Sequence, residues 1–149
     1  MITVQQTDRF MKVNRAQVRA DLEMLLEHEG YAGYDIGVRF VSERMIQKYN
    51  KTFRAKDAST DVLSFPYHDT LKPGHRIEVV MDEDKNLGDI IISLAYVQRW
   101  CDEHDYDLDQ RVKELLVHGF CHLLGYDHLT DDEYEIMHAY ELKLIDLLN

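Results

Sequence analysis

Apolar positions along the chain recur with two different periods, and the changes between them mark out the elements. After a short β-like opening, Arg15 to Glu29 carries Val18, Leu22, Leu25 and Leu26 at helical spacing, and Gly30 follows where a left-handed residue closes a helix. Tyr34 to Val41 alternates like a strand, and Ser42 then stands as the N-cap of a short basic helix running to Asn50. Phe53 to Thr60 mixes charged and small residues and reads as an ordered loop. Asp61 to Pro66 is an apolar run stopped by proline, a candidate inner strand. Pro73-Gly74 signals a turn, after which Ile77 to Met81 and Leu87 to Ile92 read as two strands forming a hairpin around the polar Asp82 to Asn86 connection. From Ser93 onward the period is helical: Ser93 to His104, Asp107 to about Leu124, and Asp131 to Leu148, the last opened by Thr130 to Glu133 as a capping box. Strands come first and most helices last, which predicts an α+β single domain with a mixed sheet of about four strands and about five helices.

Composition sharpens this picture modestly. A chain of 149 residues can bury enough apolar surface for one core, and with 45% hydrophobic, 30% charged and only 2 proline residues it has no disordered or low-complexity character. The opening residues lack a basic and apolar leader, no apolar run approaches membrane-spanning length, and Cys101 and Cys121 form no disulfide framework, so a cytoplasmic location without membrane contact is expected. The formal net charge of −11 argues against non-specific nucleic-acid binding. It is unevenly spread. Between residues 39 and 56 six basic residues face one acidic residue, whereas residues 101–149 hold 13 acidic residues against three basic ones. A solvated helix face is the competing explanation for each run.

The chemistry concentrates in His118-Gly119-Phe120-Cys121-His122-Leu123-Leu124-Gly125-Tyr126-Asp127-His128. His118 and His122, at i and i+4, project from one helix face, and a turn at Gly125 can bring His128 to the same point. Three imidazoles that leave a tetrahedral metal one open position form a catalytic rather than a closed structural site, and they suit Zn²⁺. The spacing equals that of the zinc-peptidase pattern H-E-x-x-H-x-x-G-x-x-H, but Gly119 stands where that chemistry places its glutamate base. Glu114, one turn earlier, is a candidate acceptor for the other ring N–H of His118, although its more ordinary role is a solvated helix residue. Cys121 reads as a buried small residue rather than a ligand, and His138 is the one further histidine whose helical position merits attention.

These residues resemble the YbeY family of bacterial endoribonucleases, whose H-G-x-x-H-L-x-G-Y-D-H pattern is met by His118 through His128. Two more family motifs occur in order: Asn50 and Arg54 before Thr60-Asp61-Val62-Leu63-Ser64-Phe65-Pro66, and Leu87 through Ser93 for L-G-D-I-x-I-S. The loop Ala55 to Ser59 departs from the family, which more often has glycine after the arginine and proline before the threonine. The resemblance implies one Zn²⁺ held by the three histidines and cleavage of single-stranded RNA. It also implies a role in maturation of small-subunit ribosomal RNA and in ribosome quality control, with the small subunit or its assembly factors as partners and no DNA substrate. Arg54 is the candidate for stabilising charge on phosphorus beside the His118 site, because a guanidinium stays charged and matches phosphate oxygens bidentately. Arg44, Lys48, Lys51 and Lys56 are candidates for guiding the RNA backbone. Two alternatives stay open: a non-catalytic ribosome-assembly factor with a structural zinc, closed by a fourth ligand such as Cys121 or Asp127, and another zinc hydrolase or peptidase.

Overall fold

Alternation of side chains along two central strands organises the molecule. The computed structural model describes residues 1–9 and 11–149. Among these, the strands are β1 (Ile2–Gln6), β2 (Asp35–Phe40), β3 (Val62–Pro66) and β4 (Asn86–Ile92). The helices are α1 (Arg15–His28), α2 (Glu43–Arg54), α3 (Leu94–His104), α4 (Leu108–Leu123) and α5 (Asp131–Leu148). The sheet order is β1-β2-β4-β3, with β1, β2 and β4 mutually parallel and β3 antiparallel to β4. The α+β expectation is met, as are its counts of strands and helices.

Because successive strand residues face opposite sides, the sheet divides the apolar residues into two groups. Ile36, Val38, Phe40, Ile90 and Ile92 join the main core with residues of α1, α3, α4 and α5. Ile91 and Leu63, directly paired across β4 and β3, pack on the other face with Val41 and with Ile46 of α2. Helix α4 is the central pillar. It packs against β3, β4, α3 and α5 and buries Leu115, Leu116, Val117, Phe120 and Leu123.

The expected hairpin between Ile77–Met81 and Leu87–Ile92 does not form. Both sides of β4 are already occupied, by β2 and by β3, so Ile77–Met81 cannot pair with it. Ile77 instead anchors the loop by burying its side chain and donating its N–H to the Tyr31 hydroxyl at 3.1 Å, while Val80 is 87% exposed. The basic helix also runs past Asn50 to Arg54, which moves Arg54 from the expected loop into a last helical turn. The N-caps are local, with Ser42, Ser93, Asp107 and Thr130 each accepting from the backbone N–H three residues on. Of the expected capping box, the Thr130 half is present at 3.1 Å. Among the described residues, no helix is long and apolar enough to cross a membrane.

Candidate metal centre

The site is built on the last two turns of α4, where helical spacing puts His118 and His122 on the edge that faces away from the core. Between them, Gly119 faces the sheet. A Cβ at that position would lie 2.9 to 3.1 Å from three side-chain atoms of Ile90, so α4 packs closely on β4 and any side chain here would have to push Ile90 aside. The position where zinc peptidases carry their glutamate base is here a glycine in helix–sheet contact and supplies no base.

His128 arrives by a tightly specified turn. The N–H of Gly125 donates to the His122 carbonyl at 3.0 Å and that of Tyr126 to the Cys121 carbonyl at 3.1 Å, the paired bonds of a Schellman ending. Gly125 has φ of +95°, and a Cβ there would lie 2.2 Å from the Leu71 carbonyl oxygen, so glycine is required twice over. Beyond it the Tyr126 ring stacks on Tyr140 of α5 at 4.7 Å, which fastens the turn to the neighbouring helix. The His128 ring thereby stands 5.5 Å from that of His118 and 5.1 Å from that of His122.

Hydrogen bonding decides which nitrogens are available. The His118 Nδ1–H donates to Glu141 Oε2 at 2.9 Å, and the His122 Nδ1–H donates to the Tyr126 carbonyl at 2.9 Å. Neither oxygen can itself donate when the carboxyl is ionised, so both Nδ1 atoms carry a proton, and in the neutral form of each ring it is Nε2 that presents a lone pair. Those two Nε2 atoms face one another at 3.2 Å. Two lone pairs at that distance repel unless a cation or a proton lies between them. A proton is disfavoured, because burial, reinforced by the neighbouring His118 and His128, pushes the pKa of His122 down from 6.5 to about 4. One ligand atom from each of His118, His122 and His128 lies within 4.8 Å of the others. Three converging imidazoles, those of His118 and His122 oriented by outer hydrogen bonds, fit a divalent metal.

Other donors do not complete a closed site. Among the described residues the three histidines are the only such group. Cys121 is fully buried, and burial pushes its thiol pKa well up, away from the thiolate that metals bind. Asp127 spends Oδ1 on the His128 N–H at 2.8 Å. The structural-zinc alternative therefore lacks its fourth ligand among these residues.

A family model described as Endoribonuclease YbeY matches residues 1–149. The chain belongs to the YbeY family. Proteins named Endoribonuclease YbeY from Homo sapiens, Desulforamulus reducens and Caldanaerobacter subterraneus are 33%, 35% and 38% identical to it. The matches cover 99%, 88% and 88% of this chain and 87%, 84% and 84% of those proteins. The solution structure of a Thermotoga maritima protein has the same fold, with a TM-score of 0.65 at 24% identity over 99% of this chain and 89% of that one.

The candidate Glu114 does not orient His118. Glu114 is engaged elsewhere, accepting from the Tyr106 hydroxyl and from Arg111 Nη1 at 3.3 Å. Glu141, 23 residues from His118 and on a different helix, takes the role instead. No local spacing announces such a pair; only the packing of α5 against α4 creates it. Replacing Glu141 with alanine strips His118 of its orienting acceptor, and metal affinity is expected to fall by roughly 10- to 100-fold. A competition titration against a chromophoric chelator measures this, and an unchanged affinity would show that the carboxylate is dispensable.

Within this YbeY chain Arg54 sits at the β3 edge of the sheet. Its guanidinium donates to the Ser64 carbonyl at 2.7 Å and lies 5.1 Å from the Phe65 ring centre. Val62, which lines a cavity together with His118, is two residues from Ser64, roughly 7 Å along the strand. Arg44, Lys48 and Lys51 share the solvent face of α2, opposite Ile46 and Asn50, while Lys56 follows in the loop. Lys51 approaches Asp57 at 3.9 Å. Helix α2 packs on one face of the sheet and α4 on the other, so this basic face and the histidines are separated by the sheet and meet only around its β3 edge.

The departure from the YbeY pattern after the arginine has a backbone consequence. Ala55 caps α2 in the left-handed region, with φ of +58° and ψ of +29°. Such a conformation costs a residue with a Cβ about 1–2 kcal/mol, and glycine avoids it. Set against the greater unfolded-state entropy of glycine, Ala55→Gly is expected to raise stability by about 0.5–1 kcal/mol. Urea unfolding monitored by circular dichroism checks this, and a lower midpoint would contradict it.

Proposed function

We propose that residues 1–149 form a single metal-dependent endoribonuclease domain that uses one Zn²⁺ at His118, His122 and His128 to cleave single-stranded RNA. The observation that carries the reading is the convergence of the three histidines, with the His118 and His122 Nε2 atoms facing one another at 3.2 Å, in a chain whose relatives are named endoribonucleases. When bound, the ion supplies Lewis-acid chemistry for phosphodiester cleavage. The chain's own residues do the rest. Glu141 and the Tyr126 carbonyl lock the His118 and His122 tautomers, so the ligand nitrogens need no rearrangement. Arg54 turns its remaining N–H groups toward the non-bridging phosphate oxygens and offsets the charge that grows there in the transition state. Arg44, Lys48, Lys51 and Lys56 draw the RNA backbone around the β3 edge, against the repulsion of the acidic C-terminal half.

The family resemblance extends this reading to maturation of small-subunit ribosomal RNA and ribosome quality control in the cytoplasm, with the small subunit or its assembly factors as partners. Purified protein of known zinc content, offered single-stranded and duplex RNA of the same sequence, tests the core of it. Cleavage restricted to the single strand and abolished by a chelator is the expected result; indifference to the chelator would remove the metal from the mechanism.

A further inference from the structure

Beside the histidines lies a cavity of about 460 Å³ between the end of β3 and the facing sides of α4 and α5. It shares His118 and Glu141 with the metal centre, and its volume is that of a small-molecule site, roughly 300–1,000 Å³. Val62, Leu115, Leu142 and Ile145 supply apolar walls, and His138 lines the cavity beside them. That ring is held flat against Tyr134, one turn earlier on α5, with centres 5.4 Å apart and planes 9° from parallel.

The charges at the rim decide what can enter. Asp61, Glu114 and Glu141 are carboxylates, and the one guanidinium, Arg111, is already engaged, with Asp61 at 3.6 Å and Glu114 at 3.3 Å. A phosphate group is repelled by this rim. A flat, uncharged ring with N–H donors on its edge is not: it gains apolar walls, an aromatic face and a free acceptor, since Glu141 binds His118 through Oε2 and Oε1 accepts no hydrogen bond from the described residues.

We propose that this cavity is a nucleobase subsite, in which His138, backed by Tyr134, stacks an unpaired base of the nucleotide next to the phosphate being cut. The proposal rests on the endoribonuclease reading and deepens it. A base inserted between α4 and α5 has left its helical stack and its pairing partner, so the cavity gives a structural reason for preferring single strands.

The test compares single-stranded RNA oligonucleotides that share one cleavage site and differ only by an abasic ribose, placed on either side of the cut in turn. Aromatic stacking of one base is worth roughly 5- to 150-fold in binding. The wild-type protein is expected to lose that factor in kcat/KM on one of the two abasic RNAs. His138→Ala is expected to lower cleavage of the intact RNA to the level of that abasic RNA, and His138→Phe, which keeps a stacking face, to restore the difference. Equal cleavage of intact and abasic RNA by the wild type, or full discrimination by His138→Ala, would overturn the subsite. Failure to cleave any RNA would instead overturn the endoribonuclease reading beneath it.

Discussion

His122→Ala is expected to weaken Zn²⁺ binding by roughly 10²- to 10³-fold and to remove RNA cleavage with it. Structural zinc sites bind with about 10–16 kcal/mol shared among four ligands, so one imidazole accounts for about 2.5–4 kcal/mol. The loss is not softened by a neighbour, because Cys121 is buried in the core with its thiol protonated and Asp127 is turned to the backbone of His128. Competition titration for the metal and a cleavage assay on the same preparation read both effects; retention of tight zinc binding would mean that the ion sits elsewhere. The same residue shapes the acid response of the metal-free protein. Its folded pKa of about 4 lies below the ordinary 6.5, so between those values the unfolded chain binds the proton more readily than the folded one. Stability therefore falls as the pH drops from about 6.5 towards 4, and that part of the slope should vanish in His122→Ala. Denaturant melts at several pH values show whether it does.

Arg54→Ala is expected to keep its zinc and lose roughly 10²- to 10³-fold in kcat, the range seen when one preorganised donor to a developing oxyanion is removed. The site supports such a separation. Arg54 is fixed by the Ser64 carbonyl and by Phe65, on a strand and a helix that contribute none of the three histidines. Arg54→Lys keeps the charge but loses the planar fork, and should recover only part of the rate. Metal content by atomic absorption and single-turnover cleavage together decide the matter. A variant that cleaves at the wild-type rate would return Arg54 to a structural role at the sheet edge, while one that sheds its zinc would make it part of the metal centre.

Features held by short-range interactions are legible in this sequence, and those held by long-range contacts are not. Ser42, Asp107 and Thr130 cap helices through bonds spanning three residues, and the i and i+4 histidines with Gly125 lie within one stretch of chain. Such features are written in local spacing. The strand reading of Ile77–Met81 failed because its alternation says nothing about whether a sheet edge is free, and β3, returning from residues 62–66, had taken that edge. The last turn of α2 is polar or exposed on most sides from Lys51 to Arg54, and what holds it is invisible to spacing: the Ala55 and Lys56 N–H groups donate to the Asn50 carbonyl, and Arg54 donates to the Ser64 carbonyl of β3.

The sequence by itself determined the grouping of three histidines, the absence of a peptidase base and membership of a family, since each depends on residue identity at fixed offsets within short stretches of chain. Tertiary structure alone decided what Gly119 packs against, which carboxylate orients His118, and that a cavity opens between α4 and α5 beside the site. The physical reason is common to all three. Each is a contact between elements distant in the chain, Ile90 with Gly119 and Glu141 with His118, and such contacts arise from packing rather than from any period a single segment carries.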